Sequence, residues 1–275
     1  MRSVGLALGM LVCVSLAHAQ TTVGAGGVVN SASYTAQGVA PGSLVSIFGT
    51  NLAASTAFAD TIPISTTLSD VMSVTFNDIP AGLYFVGSGE SGQINAQLPF
   101  NVLPSGQSSG TVNIVVTRGN GTSAPQSVSV VPASPGIFTT TANGLGQAFA
   151  YDNITADLAA PAGAAIGVFT TAPISLNAGH ALIIACTGLG SVTPSIDNYV
   201  AASDGIFRNT VLTPAVLIGG VPAKFVYSVL SPQFVSEYQI GVVPDPTTPI
   251  GNAVSLQIRI GGVTTTDKVT IAVAQ

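Results

Sequence analysis

APGSLVSIFGTNLA at residues 40–53 and NAGHALIIACTGLG at residues 177–190 decide how this chain is read. Aligned, they bring Gly42 onto Gly179, Val45 onto Leu182, Ile47 onto Ile184, Thr50 onto Thr187 and Leu52 onto Leu189. Three more pairs follow in the same order. NDIPAGLYFV (77–86) parallels GGVPAKFVYS (219–228), and GQINAQLPF (92–100) parallels EYQIGVVPD (237–245). TVNIVVTRGNGTS (111–123) parallels AVSLQIRIGGVTT (253–265). Ordered self-similarity of this kind is the mark of a repeated structural unit. The chain reads as a tandem duplication.

Each copy has the period of strands. Met72, Val74 and Phe76 alternate with Ser73 and Thr75, which places those three on one face. Ile94, Ala96 and Leu98 alternate with Gln93, Asn95 and Gln97, and Val112, Ile114 and Val116 repeat the pattern, as do Val128 and Val130. Turn chemistry separates these runs at Asn77-Asp78-Ile79-Pro80, Pro104-Ser105-Gly106, Gly119-Asn120-Gly121 and Gly261-Gly262. The nearest thing to a helix, Ala156 to Ala165, is interrupted by Pro161 and Gly163. With Gly 31 and Pro 17, 47% apolar residues and 6% charged, the 275 residues suit short buried strands joined by many turns. The expected fold is all-β, two tandem β-sandwiches: residues 20–132 form the first and 133–275 the second.

The PGSLVSIFGTNL run (41–52) resembles the opening strand of IPT/TIG-type immunoglobulin-like domains, which carry a similar G-x-x-V-x-I-x-G-T-N stretch. The order SASY (31–34), APGSLVSIFGTNLA, QINAQLPF, SPGIF (134–138), TGLG (187–190) and GGVPA (219–223) is similar to an uncharacterised C-terminal domain family of exported acidobacterial proteins. The resemblance spans about residues 28–273. It implies paired immunoglobulin-like sandwiches of the E-set type and brings no catalytic residues. The second copy departs from the opening motif, with Cys186 and Gly188 in place of Gly49 and Asn51.

Residues 1–19 read as a secretory leader: Arg2, an apolar stretch over 4–17, and Ala17-His18-Ala19 ahead of Gln20. That apolar stretch is shorter than the roughly 20 residues a bilayer crossing takes. The mature chain is therefore expected to be exported, without a membrane span, to the cell surface, periplasm or extracellular space. Cys13 would leave with the leader, so Cys186 remains alone in an apolar run and reads as a buried thiol. Six Lys+Arg against eleven Asp+Glu provide no basic face for nucleic acid.

Groups that converge for catalysis are scarce. The one histidine outside the leader, His180, aligns with Ser43 at a strand entrance. Gly87 to Gly92 lacks the Lys-Ser/Thr of a phosphate loop and reads as a hairpin loop. Asp152, Asn153 and Asp157 form one oxygen-rich cluster and Asp197, Asn198 and Asp204 another, neither with calcium-loop spacing. The expectation is a non-enzymatic, monomeric binding or structural module with no cofactor and no metal. Its partner would be an extracellular protein or polysaccharide. One alternative is carbohydrate recognition by Tyr34, Tyr151, Tyr199 and Phe207, read as loop aromatics, beside the polar Gln93, Asn95 and Gln97. Another is a hydrolase with Asp152, Asp157, Asp197 and Asp204 gathered at the domain junction.

Overall fold

The computed structural model describes residues 20–275 apart from Glu90 and Asn120. The leader reading of residues 1–19 and the tip of the Gly119-Asn120-Gly121 turn lie outside the described residues. Every strand named by the sequence patterns is present, and no helix long and apolar enough to cross a membrane occurs among the described residues.

Strands between Thr22 and Val130 build two antiparallel sheets. The first runs Thr22–Asn30, Leu44–Thr50, Gly92–Gln97, Gly82–Gly87, Ala57–Phe58. The second runs Gln126–Val130, Gly110–Arg118, Val71–Phe76, Ile79–Pro80, with Gly121–Thr122 also on Gly110–Arg118. The remaining strands repeat this order. In the third sheet Ala150–Asp152, Leu182–Thr187, Tyr238–Val243, Lys224–Leu230 and Asn209–Thr210 lie side by side. In the fourth, Val269–Ala274, Gly251–Ile260, Ala215–Ile218 and Val221–Pro222 do so, with Val263–Thr264 on Gly251–Ile260. The segments matched in sequence thus occupy matched places in the sheets.

Inward side chains from facing sheets fill two cores. Val45, Ile47, Leu83 and Ile94 meet Val74, Phe76, Ile114 and Val116 in one. Ile184, Tyr238 and Ile240 meet Val216, Leu256, Ile258 and Ile271 in the other. Each such side chain removed from water contributes about 1.5–3 kcal/mol, which fixes the register, since a slip by one residue would turn every one outward. Two-residue turns set the hairpins. Asn77 and Asp78 both have positive φ (47° and 64°), the primed-turn geometry that follows strand twist, and Gly219-Gly220 and Gly261-Gly262 do the same in the second copy.

Register shifts interrupt several of the strand pairs, and the one in Val71–Phe76 changes which residues face inward. The register shifts between Val71 and Ser73, so Val71 joins Val74 and Phe76 in the core while Met72 stands 61% exposed. A bulge inserts one residue and reverses the facing on one side of it.

The two sandwiches are joined by buried and half-buried hydrogen bonds. Asn30 donates through Nδ2 to Ser134 O (2.7 Å), while its Oδ1 accepts from the amides of Ala32 (2.8 Å) and Ser33 (3.0 Å). Leu44 N donates to Thr187 Oγ1 (2.9 Å), whose proton goes to Ser236 O (2.7 Å). Tyr199 N donates to Gln97 Oε1 (2.6 Å), and Asn198 Oδ1 accepts from Phe100 N (2.8 Å). Tyr84 donates its hydroxyl to Val235 O (2.6 Å). Ile64, Ala201 and Val235 close a small apolar cluster beside Tyr84 and Tyr199.

Candidate functional site

Cross-strand partners in a sheet point to the same side, so register alone assembles an outer face on the third sheet. Leu182, Ile184 and Cys186 face the core, which turns Ile183 and Ala185 outward. Tyr151, Ile183, Gly241 and Tyr227 form one outward row, and Ala185, Gln239 and Val229 the next. Glu237, two residues before Gln239, lies on the same face. A Cβ on Gly241 would run into the ring of Tyr227, so the ring lies against the sheet only because that position is glycine.

Where this face meets the first sheet, a groove of about 400 Å³ opens. Phe138, Phe149, Tyr151, Phe169 and Phe234 line it from the second sandwich, and Tyr34 and Asn95 from the first. Phe149 and Phe169 pack edge to face with centroids 5.6 Å apart, and Tyr151 stands 6.1 Å from Phe169. On the first sheet, Ser31 and Ser46 share a hydrogen bond (2.9 Å). Asn95 Oδ1 accepts from Ser46 (3.0 Å) and from Gln93 Nε2 (2.7 Å). The second sandwich's wall is therefore aromatic, while the first sandwich's sets Ser31 and Asn95 beside Tyr34 and Leu44.

Glu237 also lines the groove. Burial pushes its carboxyl above the usual glutamate range, and hydrogen bonds from Ser231 and Gln239 pull it back only in part. The hydroxyls of Tyr151 and Tyr84 and the thiol of Cys186 are raised first by their own burial and then by the Glu237 charge. The ion pairs among the described residues join Arg118 to Asp70, His180 to Asp152 and Arg208 to Asp204. None includes Glu237.

Of the aromatics singled out in the sequence, Tyr34 and Tyr151 come together here. Tyr151 belongs to the strand Ala150–Asp152, a correction to its reading as a loop residue: the strand is three residues long, too short to show a period. Tyr199 holds the junction, its hydroxyl on Pro80 O (2.5 Å). Phe207 is 78% exposed beside a second groove with Ile206, Tyr227 and Gln239. Asn95 lines the first groove with Gln93 bonded to its Oδ1, whereas Gln97 is buried against Tyr199.

The acidic clusters serve turns. Asp152 is buried, with Oδ2 on His180 Nδ1 (2.5 Å) and Oδ1 accepting from Ile154 N (2.8 Å). Asp204 binds Arg208 through both oxygens (2.5 and 2.7 Å), which holds its carboxyl down to about 2. Thr170 and Thr155 hydroxyls keep Asp157 low. None of these, nor Asp197, lines the aromatic groove. No group of three or more metal-ligating side chains occurs among the described residues. Cys186 is buried with its sulfur on Tyr238 O (3.5 Å), and burial pushes the thiol well above its usual range.

Glu237 is the residue that sequence reasoning passed over. Its signal was present in EYQIGVVPD: a carboxylate immediately before an alternating strand, in a chain with 6% charged residues.

The sheets and their order define a class: an all-β protein of two tandem immunoglobulin-like sandwiches. No family model and no curated protein matches the chain. Among solved structures it is similar to the I9-I11 tandem from titin, at 10% identity over 86% of this chain and with a TM-score of 0.21. The alignment spans 62% of that titin chain, short of two thirds of its length.

Proposed function

We propose that the protein is a non-catalytic binding and structural module, exported as a monomer to the cell surface or extracellular space, that takes its ligand in the groove between the two sandwiches. The carrying observation is that neither sandwich forms the groove alone, while hydrogen bonds across the junction hold its two walls in register. Rigid scaffolds with concave aromatic-lined sites are the usual architecture of ligand recognition. The leader pattern of residues 1–19 supports export.

Kinship with the uncharacterised acidobacterial family belongs to the same proposal, supported by where its motifs fall. Asn30, just ahead of SASY, holds Ser134 of SPGIF. A Cβ on Gly188 of TGLG, where φ is 82°, would strike Ser134 O and the Asn30 amide. Tyr34 of SASY and Phe138 of SPGIF both line the groove. The resemblance and the groove thus draw on the same residues.

The test is to present the purified protein with soluble polysaccharides, cell-envelope fractions and a panel of hydrolase substrates. Saturable binding without turnover is expected. Turnover that survives repurification overturns the reading, as does an intracellular product whose N-terminus precedes Gln20.

A further inference from the structure

We infer that the junction groove is a site for a small organic cation, an alkylammonium whose charge meets Glu237 and whose apolar body lies among Phe149, Tyr151, Phe169 and Phe234. The inference rests on the binding reading above and names the ligand class for that same groove.

Three observations favour a cation over a neutral ligand. Glu237 is half-buried in an aromatic surround without a cationic side chain in any of the ion pairs seen, whereas Asp70 and Asp204 each have an arginine. A carboxylate left so is costly unless a counter-charge arrives. Aromatic ring faces carry partial negative charge, so the same rings that would tolerate an apolar ligand actively attract an ammonium. The formal charge of −5, with Lys+Arg 6 against Asp+Glu 11, draws cations toward the surface and repels anions. A neutral sugar would use the rings and Asn95 and could add hydroxyl donors to those of Ser231 and Gln239, but it would bring the carboxylate no counter-charge.

Size narrows the class further. The groove of about 400 Å³ is at the lower end of small-molecule pockets, enough for a choline-sized cation but not for a folded partner.

The experiment titrates the full mature protein by calorimetry and by NMR shifts with choline and with 3,3-dimethylbutan-1-ol, in which carbon replaces the charged nitrogen. Cellotriose and a trimethyl-lysine peptide complete the panel. Choline is expected to bind saturably and about tenfold or more tighter than its neutral isostere. Glu237→Gln should erase that preference while leaving the isostere's affinity within about twofold. Phe234→Ala, which truncates an exposed ring outside both cores, should weaken both ligands with the fold intact by circular dichroism.

Equal affinity for choline and isostere, an unaltered preference in Glu237→Gln, or no choline binding overturns the cation assignment. Cellotriose binding in the groove with choline silent overturns it too, yet leaves the binding-module reading standing. A trimethyl-lysine peptide more than about tenfold tighter than choline makes the groove a protein-docking site and overturns the small-molecule assignment. The broader reading fails separately, on turnover in the substrate panel.

Discussion

Glu237 is destabilising as it stands, and that gives it a measurable signature. Its folded-state carboxyl is raised above the ordinary value of 4.5 because burial disfavours the charge. The folded chain therefore holds this proton more tightly than the unfolded chain does. The associated stability is present below pH 4.5 and is lost as the pH climbs through the raised folded-state value. Glu237→Gln removes the titration. We expect it to raise neutral-pH stability by about 1 kcal/mol, with the gain over wild type shrinking toward zero as the pH falls below 4.5. Thermal melts of both proteins from pH 4 to 8 read this directly, and a constant difference would place its origin elsewhere. Because the same substitution should abolish cation preference, a more stable but less selective variant would mark a residue retained for binding. Arg118 shows the opposite arrangement. Its side chain is 6% exposed, with Nε and Nη2 on Asp70 (2.8 and 2.7 Å) and Nη1 on Asn51 O (2.8 Å). Burial raises Asp70, but the Ala54 amide and the Arg118 guanidinium outweigh it and lower the carboxyl. Arg118→Ala should cost about 1–3 kcal/mol in denaturant melts, since Asp70 keeps the Ala54 amide and Asn51 O keeps Thr21 Oγ1, but both lose the guanidinium; a loss below about 0.5 kcal/mol would show the cluster to be ornamental.

At the scale of the element, the bulge in Val71–Phe76 decides which of three alternating residues matters. Phe76→Ala should cost about 3–5 kcal/mol, whereas Met72→Ser should stay within about 0.5 kcal/mol although simple alternation places both on one face. Equal costs would return Met72 to the core and place the register shift elsewhere. Alternation predicts facing only while the ladder is regular, and nothing in VMSVTF announces the extra residue. Elsewhere the local code was sufficient. Asn77-Asp78 and Gly261-Gly262 demanded positive φ and produced hairpins, and Ile94, Ala96 and Leu98 went inward together. The duplication was legible because equivalent central strands need equivalent cores, as Ile47 and Ile184 show. The groove was not legible. Its walls come from residues far apart in sequence, Tyr34, Asn95, Tyr151 and Glu237, and only sheet order and junction geometry bring them together. Carboxylates that looked like a site, Asp152 and Asp204, were consumed by partners that spacing alone did not reveal at His180 and Arg208.

For the molecule as a whole, the junction determines whether two sandwiches behave as one body. Interfaces between domains of a chain commonly permit motion. Here Asn30 spends both ends of its amide inside the junction, and Leu44, Tyr84 and Gln97 find their partners across it. Opening it would exchange the bonds that cross the junction for bonds to water, at a net loss of about 0.5–1.5 kcal/mol each. Wild type should therefore unfold in a single transition, with solution scattering that matches one fixed arrangement. Asn30→Ala leaves Ser134 O and the amides of Ala32 and Ser33 without their partner, yet lies outside both hydrophobic cores. We expect it to cost about 2–3 kcal/mol and to split the melt into two steps as the sandwiches uncouple. The radius of gyration should grow, and choline affinity should fall although every groove side chain is still present. A variant that melts in one step, keeps its scattering curve and binds as before would show that the groove's walls need no junction to hold them together.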